Sequence, residues 1–212
     1  MPSYQLTNEK MLEVQLNNET VYAKRGAMLA YQGQVAFSRS FLGSEGIQGA
    51  AMRVVTNEGY QLMAAVGTGS VYYGQNGLFV TVITLRGETF YAESDSLLAY
   101  DGRLRTGTVF QGNQGVQGLI RGAATGQGLF TTTLEGTGEL AIVSDGNIIA
   151  LEVTAQKPIC VDPNAYIGHK GQVTSAVITD VNWKTLIGQA SGESYQLKFT
   201  GLGTVYIQAS ER

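Results

Sequence analysis

Charge, cysteine and histidine are all scarce in this sequence. Charged residues make up 15% of its 212 residues and apolar residues 43%, whereas charged residues are about 25% of an average globular protein. With Cys160 as the only cysteine, the chain cannot form an internal disulfide. No stretch approaches the ~18 uninterrupted apolar residues of a spanning helix, and residues 1–5 lack the charged and apolar regions of a signal peptide. We expect a cytoplasmic protein with no integral membrane segment.

Basic residues are too scattered to suggest nucleic-acid binding. The formal net charge is −3, and no Lys/Arg cluster is longer than Lys24-Arg25. Phosphate contacts supply most of the affinity of a nucleic-acid-binding protein, so such a protein normally carries a basic stripe. We therefore expect no nucleic-acid partner.

The single histidine limits both metal and hydrolytic chemistry. A metal site like those of β-barrel oxygenases normally needs two or more histidines with a carboxylate, and a Ser-His-Asp triad would also have to use His169. No Gly-x-Ser-x-Gly elbow is present to expose a nucleophile. His169 lies in the polar segment Gly168-His169-Lys170-Gly171, which predicts a solvated turn residue.

Two other candidates for chemistry have structural interpretations. The segment Gly67-Thr68-Gly69-Ser70 resembles a phosphate loop, but it lacks a lysine and opens no predicted helix. Cys160 lies in a predicted strand with no basic neighbour that would activate a thiolate. We therefore expect Cys160 to be a small buried hydrophobic residue.

The carboxylates provide no evident pair for glycosidase chemistry, which needs only two of them. Glu93 and Asp162 share one position of the repeat described below, while Asp145 and Asp180 lie in predicted turns. Repetition would spread these acids around the molecule, and turn chemistry accounts for Asp145 and Asp162. The sequence thus predicts no catalytic, cofactor-binding or metal-binding residue.

Glycine, in contrast, is abundant, and it marks an internal repeat. The chain has 28 glycines, about twice the usual ~7% share. A shift of 69 residues aligns several separate segments of residues 16–69 with residues 85–138, and a weaker third copy follows in the same order. Aligned residues include Leu16 and Leu85, Tyr31 and Tyr100, Gly67 and Gly136, and, in the third copy, Cys160 with Tyr91 and Gly171 with Gly102. We predict one domain of three repeats, at about residues 11–79, 80–148 and 149–212.

Each copy is predicted to consist of β-strands. An apolar strand leads through a polar turn into a second strand, a weakly alternating segment follows, and a last strand contains a Gly-x-Gly pair. These glycines indicate a bulge or bend, where φ is positive or another backbone lies close. Asn76-Gly77 and Asp145-Gly146 are typical of type I′ hairpin turns.

One short helix per copy is also predicted, from four apolar residues spaced at i, i+3, i+4 and i+7. The fold class is therefore all-β: a pseudo-threefold β-sandwich or β-helix-like unit with one short helix per repeat. The residues that predict the helices are Ile47, Ala50, Ala51 and Val54; Val116, Leu119, Ile120 and Ala123; and Trp183, Leu186, Ile187 and Ala190.

The third copy stops where a return strand would be due. Residues 11–16 correspond to that strand in register, so we expect them to pair beside residues 204–208 and to complete the third repeat. Such closure would hide strand edges that could otherwise template aggregation.

The Gly-x-Gly strand endings, residues 26–30 and residues 199–208 resemble the altered-inheritance-of-mitochondria protein 24 family, over about residues 10–208. The resemblance implies an all-β fold similar to that of the tryptophan RNA-binding attenuation protein, repeated within one chain. It implies neither RNA nor tryptophan binding, and it brings no catalytic residues. Ser194 departs from the pattern, because the second copy has Gly128 there.

We expect a non-catalytic scaffold or protein-interaction module that needs no cofactor and that binds a protein partner or associates with itself. The 11 tyrosines suit an interface. The alternative is a small-ligand-binding protein or an unrecognised hydrolase, with a cleft near the divergent third repeat around residues 178–194. Association with lipid membranes is a third reading that no sequence feature demands.

Overall fold

The computed structural model describes residues 1–41, 61–111, 129–179 and 195–209, and these form an antiparallel β-sheet. Its 12 strands are β1 (Ser3–Asn8), β2 (Met11–Lys24), β3 (Met28–Phe41), β4 (Gln61–Tyr73), β5 (Phe79–Glu93), β6 (Leu97–Asp101), β7 (Arg105–Gln111), β8 (Leu129–Ser144), β9 (Ile148–Val153), β10 (Ile159–Val161), β11 (Tyr166–Thr179) and β12 (Tyr195–Gln208). The all-β class is therefore confirmed.

The described part of the chain has one helical element, a 3₁₀ turn at Ser94–Ser96. The three predicted helices fall on residues 47–54, 116–123 and 183–190, which lie outside the described residues. Among the residues that the structure describes, no helix has the length and apolar character needed to cross a bilayer. The pseudo-threefold arrangement stays a prediction.

Strand β2 illustrates why this sequence forms half-buried strands. Leu12, Val14 and Leu16 are buried, while Glu13 and Gln15 between them are more exposed. Successive side chains of a strand point to opposite faces of the sheet. Burial of each such apolar side chain contributes about 1.5–3 kcal/mol, so this alternation fixes which face of β2 meets the core.

A β-bulge divides both β2 and β5 into two halves. The register shifts by one residue at Asn18, opposite β4, and at Gly87, opposite β8. Both residues have left-handed backbone conformations, with φ of 58° and 84°. Asn and Gly adopt this conformation more readily than other residues. The two bulges lie opposite the Gly-x-Gly pairs of β4 and β8.

The first and third Gly-x-Gly pairs lie where two backbones come close together, whereas the second pair, Gly136 and Gly138, lies against the side chains of Leu104 and Asp101. A Cβ atom at Gly69 would overlap the carbonyl oxygen of Gln32, and one at Gly203 would overlap that of Lys170. Thr68 and Ser70 belong to the same continuous strand, β4. The segment that resembles a phosphate loop is therefore part of a sheet.

In each of the three predicted copies, the apolar strand at the beginning pairs with the last strand of the same copy. Leu16 lies opposite Gly69, Leu85 opposite Gly138, and Val153 opposite Gly203. The predicted pairing of residues 11–16 with residues 204–208 is wrong. Residues 11–15 already have β1 on one side and β4 on the other, and β12 has β9 and β11 there.

The two predicted hairpins are also wrong, although the first turn is correct. Asn76 and Gly77 have φ of 48° and 70°, as a type I′ turn requires. However, β5 pairs with β8 and β11, and β4 pairs with β2 and β3. Likewise, β9 follows Asp145-Gly146 but pairs with β12. The strand after each turn leaves its predecessor and pairs with a strand much later in the chain.

The buried apolar residues form three clusters, and the first two contain side chains from more than one copy. Leu98 of β6 packs in the first cluster with Val14 of β2. Ile167 of β11 packs in the second cluster with Phe90 of β5. The third cluster, in contrast, draws its members from residues 153–207: Val153, Val161, Tyr166, Leu197, Phe199 and Val205, with Ile159, Ala165, Val173, Val177 and Ile207 around them.

Candidate interaction surface

The strands fall into three groups, β1–β4, β5–β8 and β9–β12, which are joined by two short strand pairings. In both pairings a tyrosine lies opposite another ring side chain. In the first seam, residues 21–23 of β2 pair with residues 99–101 of β6. In the second seam, residues 90–92 of β5 pair with residues 168–170 of β11. In each case, the half-strand after a bulge meets a strand that lies one copy later.

The first seam contains a stacked pair of tyrosines. The rings of Tyr22 and Tyr100 have centroids 5.3 Å apart and an interplanar angle of 28°. The backbone N–H of Gly102 donates to the carbonyl of Thr20 at 2.9 Å, which extends the pairing by one step. Stacked aromatic pairs contribute about 0.5–1.5 kcal/mol beyond the area that they bury.

The second seam repeats this arrangement with a histidine in place of a tyrosine. The rings of Tyr91 and His169 stack with centroids 4.5 Å apart and an interplanar angle of 2°. The Tyr166 hydroxyl lies 2.7 Å from His169 Nδ1 and donates to the Tyr91 carbonyl at 3.3 Å. Lys170 Nζ bonds to Glu88 Oε1 at 2.9 Å across the same seam.

His169 is therefore a buried seam residue, and its predicted place in a solvated turn is wrong. It lies in β11 and is 2% exposed. Burial lowers the pKa of His169 to about 4, because a charged imidazolium loses its hydration there. At neutral pH the ring is uncharged, and it serves as a flat packing surface and hydrogen-bond partner.

A buried carboxylate sits at the end of the first seam. Asp101 is 1% exposed, and its oxygens accept hydrogen bonds from Nε and the backbone N–H of Arg103, both at 3.0 Å. Burial, with the charge of Asp101 as a second cause, raises the pKa of the nearby Tyr4. The cluster pairs Asp101 with Arg103 and places the Tyr4 phenol near that ion pair.

The strand equivalent to β6 and β11 in the first copy is β3, and its edge is exposed. Residues 29–34, the exposed edge, are all solvent-accessible, with Leu29 55% and Tyr31 50% exposed. The aligned Leu98 and Tyr100, and likewise Ile167 and His169, are 0–3% exposed. Strand β3 lies at one end of the strand order.

The opposite end of the strand order is β10, which contains Cys160. Cys160 is exposed, so its predicted burial is wrong. The strand has β12 on one side and no strand pairing on its outer side within the described residues. Ile159 and Val161, on either side of Cys160, face the third cluster instead.

Two of the four carboxylates singled out from the sequence accept hydrogen bonds from backbone N–H groups in turns. Glu93 accepts hydrogen bonds from the backbone N–H groups of Asp95 and Ser96 at 3.0 Å, and Asp162 accepts one from Asn164 at 2.9 Å. Asp145 follows β8 in a turn, while Asp180 lies outside the described residues. In the part of the chain that the structure describes, no three His, Cys, Asp or Glu residues cluster as metal ligands would.

The cleft considered around residues 178–194 falls almost entirely outside the described residues. The residues that sequence reasoning missed are the seam residues, above all Tyr22, Tyr91 and the exposed Leu29. The alignment of Tyr31, Tyr100 and His169 was the signal that connects them, because it places ring side chains at one position of every copy.

Comparison with known proteins gives a family and a fold. Residues 4–210 match the family model described as Mitochondrial biogenesis AIM24. A crystal structure of protein SPYM3_0169 from Streptococcus pyogenes has a TM-score of 0.72 over 100% of this chain and 94% of that chain, at 20% sequence identity. At that identity the likeness concerns the fold alone. No curated protein matches the chain.

Proposed function

We propose that this chain, which belongs to the Mitochondrial biogenesis AIM24 family, is a non-catalytic protein-interaction module built from three repeats. The exposed edge of β3 is its binding surface. The family membership agrees with the resemblance found in the sequence, and the binding role rests on the geometry of the seams.

The strand pairings support the division into three repeats. In each copy the first strand lies opposite the Gly-x-Gly strand, with Leu16, Leu85 and Val153 facing the second glycine of the pair. The two seams connect the copies in the same order. Residues 21–23 of the first copy pair with β6 of the second, and residues 90–92 of the second copy pair with β11 of the third. A similarity to the tryptophan RNA-binding attenuation protein remains an expectation from the family resemblance.

One observation carries the interaction role: a position that is buried in two copies is exposed in the first. Leu98 and Ile167 are completely buried, whereas the aligned Leu29 is 55% exposed. Leu29 lies beside Tyr31 on a strand edge that has no partner strand among the described residues, and such an edge offers backbone donors and acceptors to a partner strand. An apolar side chain next to free backbone groups suits a protein partner.

The test is recovery of partners from the native cells with three forms of the full chain. Wild-type protein and Leu29→Asp are compared with Leu202→Asp, a control in which a leucine that is also exposed (67%) changes away from the edge of β3. We expect protein partners to be recovered with the wild type and the control, and to fall at least about tenfold with Leu29→Asp, since burial of a leucine is worth about 1.5–3 kcal/mol. Equal recovery with all three forms, or a bound metabolite without any protein, would contradict the proposal.

A further inference from the structure

We propose that the exposed edge of β3 pairs with the outer edge of β10 in a second copy of this chain, which forms a third seam between molecules. The inference rests on the proposed function and names the partner of the same surface. Its register places Tyr31 opposite Cys160 and Ala30 opposite Val161.

The register follows from the two seams inside the molecule. Tyr22 lies opposite Tyr100, and Tyr91 lies opposite His169. In the alignment of the copies, Cys160 holds the position of Tyr22 and Tyr91, and Tyr31 holds that of Tyr100 and His169. The same pairing rule therefore brings residues 30–32 against residues 159–161.

Apolar packing favours this pairing. Leu98 enters the first cluster and Ile167 enters the second, each from the copy that follows along the chain. The third cluster receives no such side chain from another copy within the described residues. Leu29 is the aligned residue, and it is 55% exposed. In the proposed seam, Leu29 of one molecule covers the third cluster of its neighbour.

The backbone and the charges of the two edges also fit. In the first seam the Gly102 N–H donates to the Thr20 carbonyl, and the aligned residues of the third seam are Gly33 and Pro158. Proline lacks an N–H but keeps its carbonyl, which is the group that this contact needs. Residues 29–33 and 158–161 carry no charged side chain, so no like charges meet.

A second molecule, and not the same one, supplies β10. Within one chain, β3 and β10 lie at opposite ends of the strand order. Each seam joins two different surfaces. One is the half-strand after a bulge, at residues 21–23 or 90–92, and the other is the strand at residues 99–101 or 168–170. A contact of this heterologous type repeats head to tail and links molecules into rings or filaments. The contact between molecules would therefore join the same two kinds of surface as the two seams inside each molecule.

Tyr31→Cys provides a direct test, because Cys160 is the only native cysteine. Opposite residues in an antiparallel pair have Cα atoms about 4.5–5.5 Å apart, within the ~4.4–6.8 Å that a disulfide spans. Mild oxidation of Tyr31→Cys should give a ladder of covalent multimers on a non-reducing gel. Mixing isotopically labelled and unlabelled chains should give mass spectra in which position 31 of one chain is linked to Cys160 of another.

Three controls complete the experiment. Tyr31→Cys with Cys160→Ser should give no ladder, and Leu202→Cys should form no link to Cys160. Tyr22→Cys with Tyr100→Cys and Cys160→Ser should oxidise within one chain, because those positions are opposite each other in the first seam. If that internal link forms but position 31 links to Cys160 only within a chain, or not at all, the inference is overturned.

Sedimentation velocity tests the uncrosslinked protein. We expect wild type and Leu202→Asp to self-associate equally. Leu29→Asp should raise the dissociation constant of self-association at least about tenfold. A wild type that stays monomeric up to about 100 μM, a concentration at which a specific contact should be populated, would overturn the second copy as partner. In that case, recovery of a different protein in a manner that depends on Leu29 would still support the proposed function. If no such protein is recovered, both the proposed function and the second copy as partner are contradicted.

Discussion

At the scale of the residue, one aligned position shows how a neighbouring strand decides the environment of a side chain. Tyr31 is 50% exposed, Tyr100 3% and His169 2%. The polar neighbours of His169 predict solvent exposure, yet the ring stacks on Tyr91 in the second seam. A local pattern describes a residue's own strand, whereas burial here depends on a strand from another copy.

The lowered pKa of His169 leads to a prediction of pH-dependent stability. In the unfolded chain the imidazole titrates near its ordinary value of 6.5, and in the folded chain near 4. The unfolded state therefore binds more protons between these values, and the free energy of unfolding should fall as the pH drops from about 6.5 to about 4. The loss from this one group is at most about 3 kcal/mol.

Chemical denaturation of wild type and His169→Phe across pH 4–8 measures this contribution, because all other groups cancel in the difference. Phenylalanine keeps a flat ring beside Tyr91 but cannot be protonated, so the gap between the two proteins should narrow or reverse toward low pH. Tyr166→Phe removes the hydroxyl contact and keeps His169, and it should retain the pH dependence. A wild type and His169→Phe with parallel pH profiles would argue against a neutral, buried histidine.

At the scale of the element, the two bulges give long strands a bend without a break. Asn18 and Gly87 occupy aligned positions and both have positive φ, so the conformation belongs to the strand pattern and not to one residue type. A Cβ atom at Gly87 would have no neighbour within 4 Å. Substitution there tests backbone strain alone.

We expect Gly87→Asn to leave the free energy of unfolding within about 1 kcal/mol of the wild type, because asparagine tolerates a left-handed conformation. Gly87→Val should cost more, about 1–3 kcal/mol, because a β-branched residue strongly disfavours positive φ. Urea denaturation of the three proteins gives the comparison. Equal stability of the asparagine and valine variants would show that position 87 changes conformation freely.

Strands and glycine positions could be predicted from the sequence because their causes are local. Alternation in residues 12–16 marks a half-buried strand, and two of the three Gly-x-Gly pairs mark close backbones. Strand partners could not be predicted in the same way. The Asn76-Gly77 turn has the φ values of a hairpin turn, but β5 pairs with β8 and β11, and that choice depends on residues far along the chain.

At the scale of the whole molecule, head-to-tail association predicts that thermal stability depends on protein concentration. Self-association favours the folded state by mass action. For a chain of this size, each tenfold rise in concentration should raise the unfolding midpoint by up to about 3–6 °C. Scanning calorimetry of wild type and Leu29→Asp over two decades of concentration measures the effect. The variant should show a constant midpoint, and a constant wild-type midpoint would count against association.

The candidate surface was only half visible in the sequence. The repeat alignment identifies Leu29 and Tyr31 as equivalents of Leu98 and Tyr100, but equivalence alone predicts equal burial. Cys160 shows the same limit in reverse, because an apolar strand predicts burial and its edge position leaves it exposed. Which members of a repeated position lack a partner depends on the order in which the copies are joined, and only the three-dimensional arrangement reveals that order.

The direction of the two seams has a consequence for how the protein is made. Residues 99–101 dock on residues 21–23, and residues 168–170 dock on residues 90–92, so each docking strand leaves the ribosome after the template that receives it. Folding can then proceed during translation, copy by copy, without a strand waiting for a template still to be synthesised. The segment at residues 159–161, which holds the aligned position in the third copy, is synthesised after both of these templates.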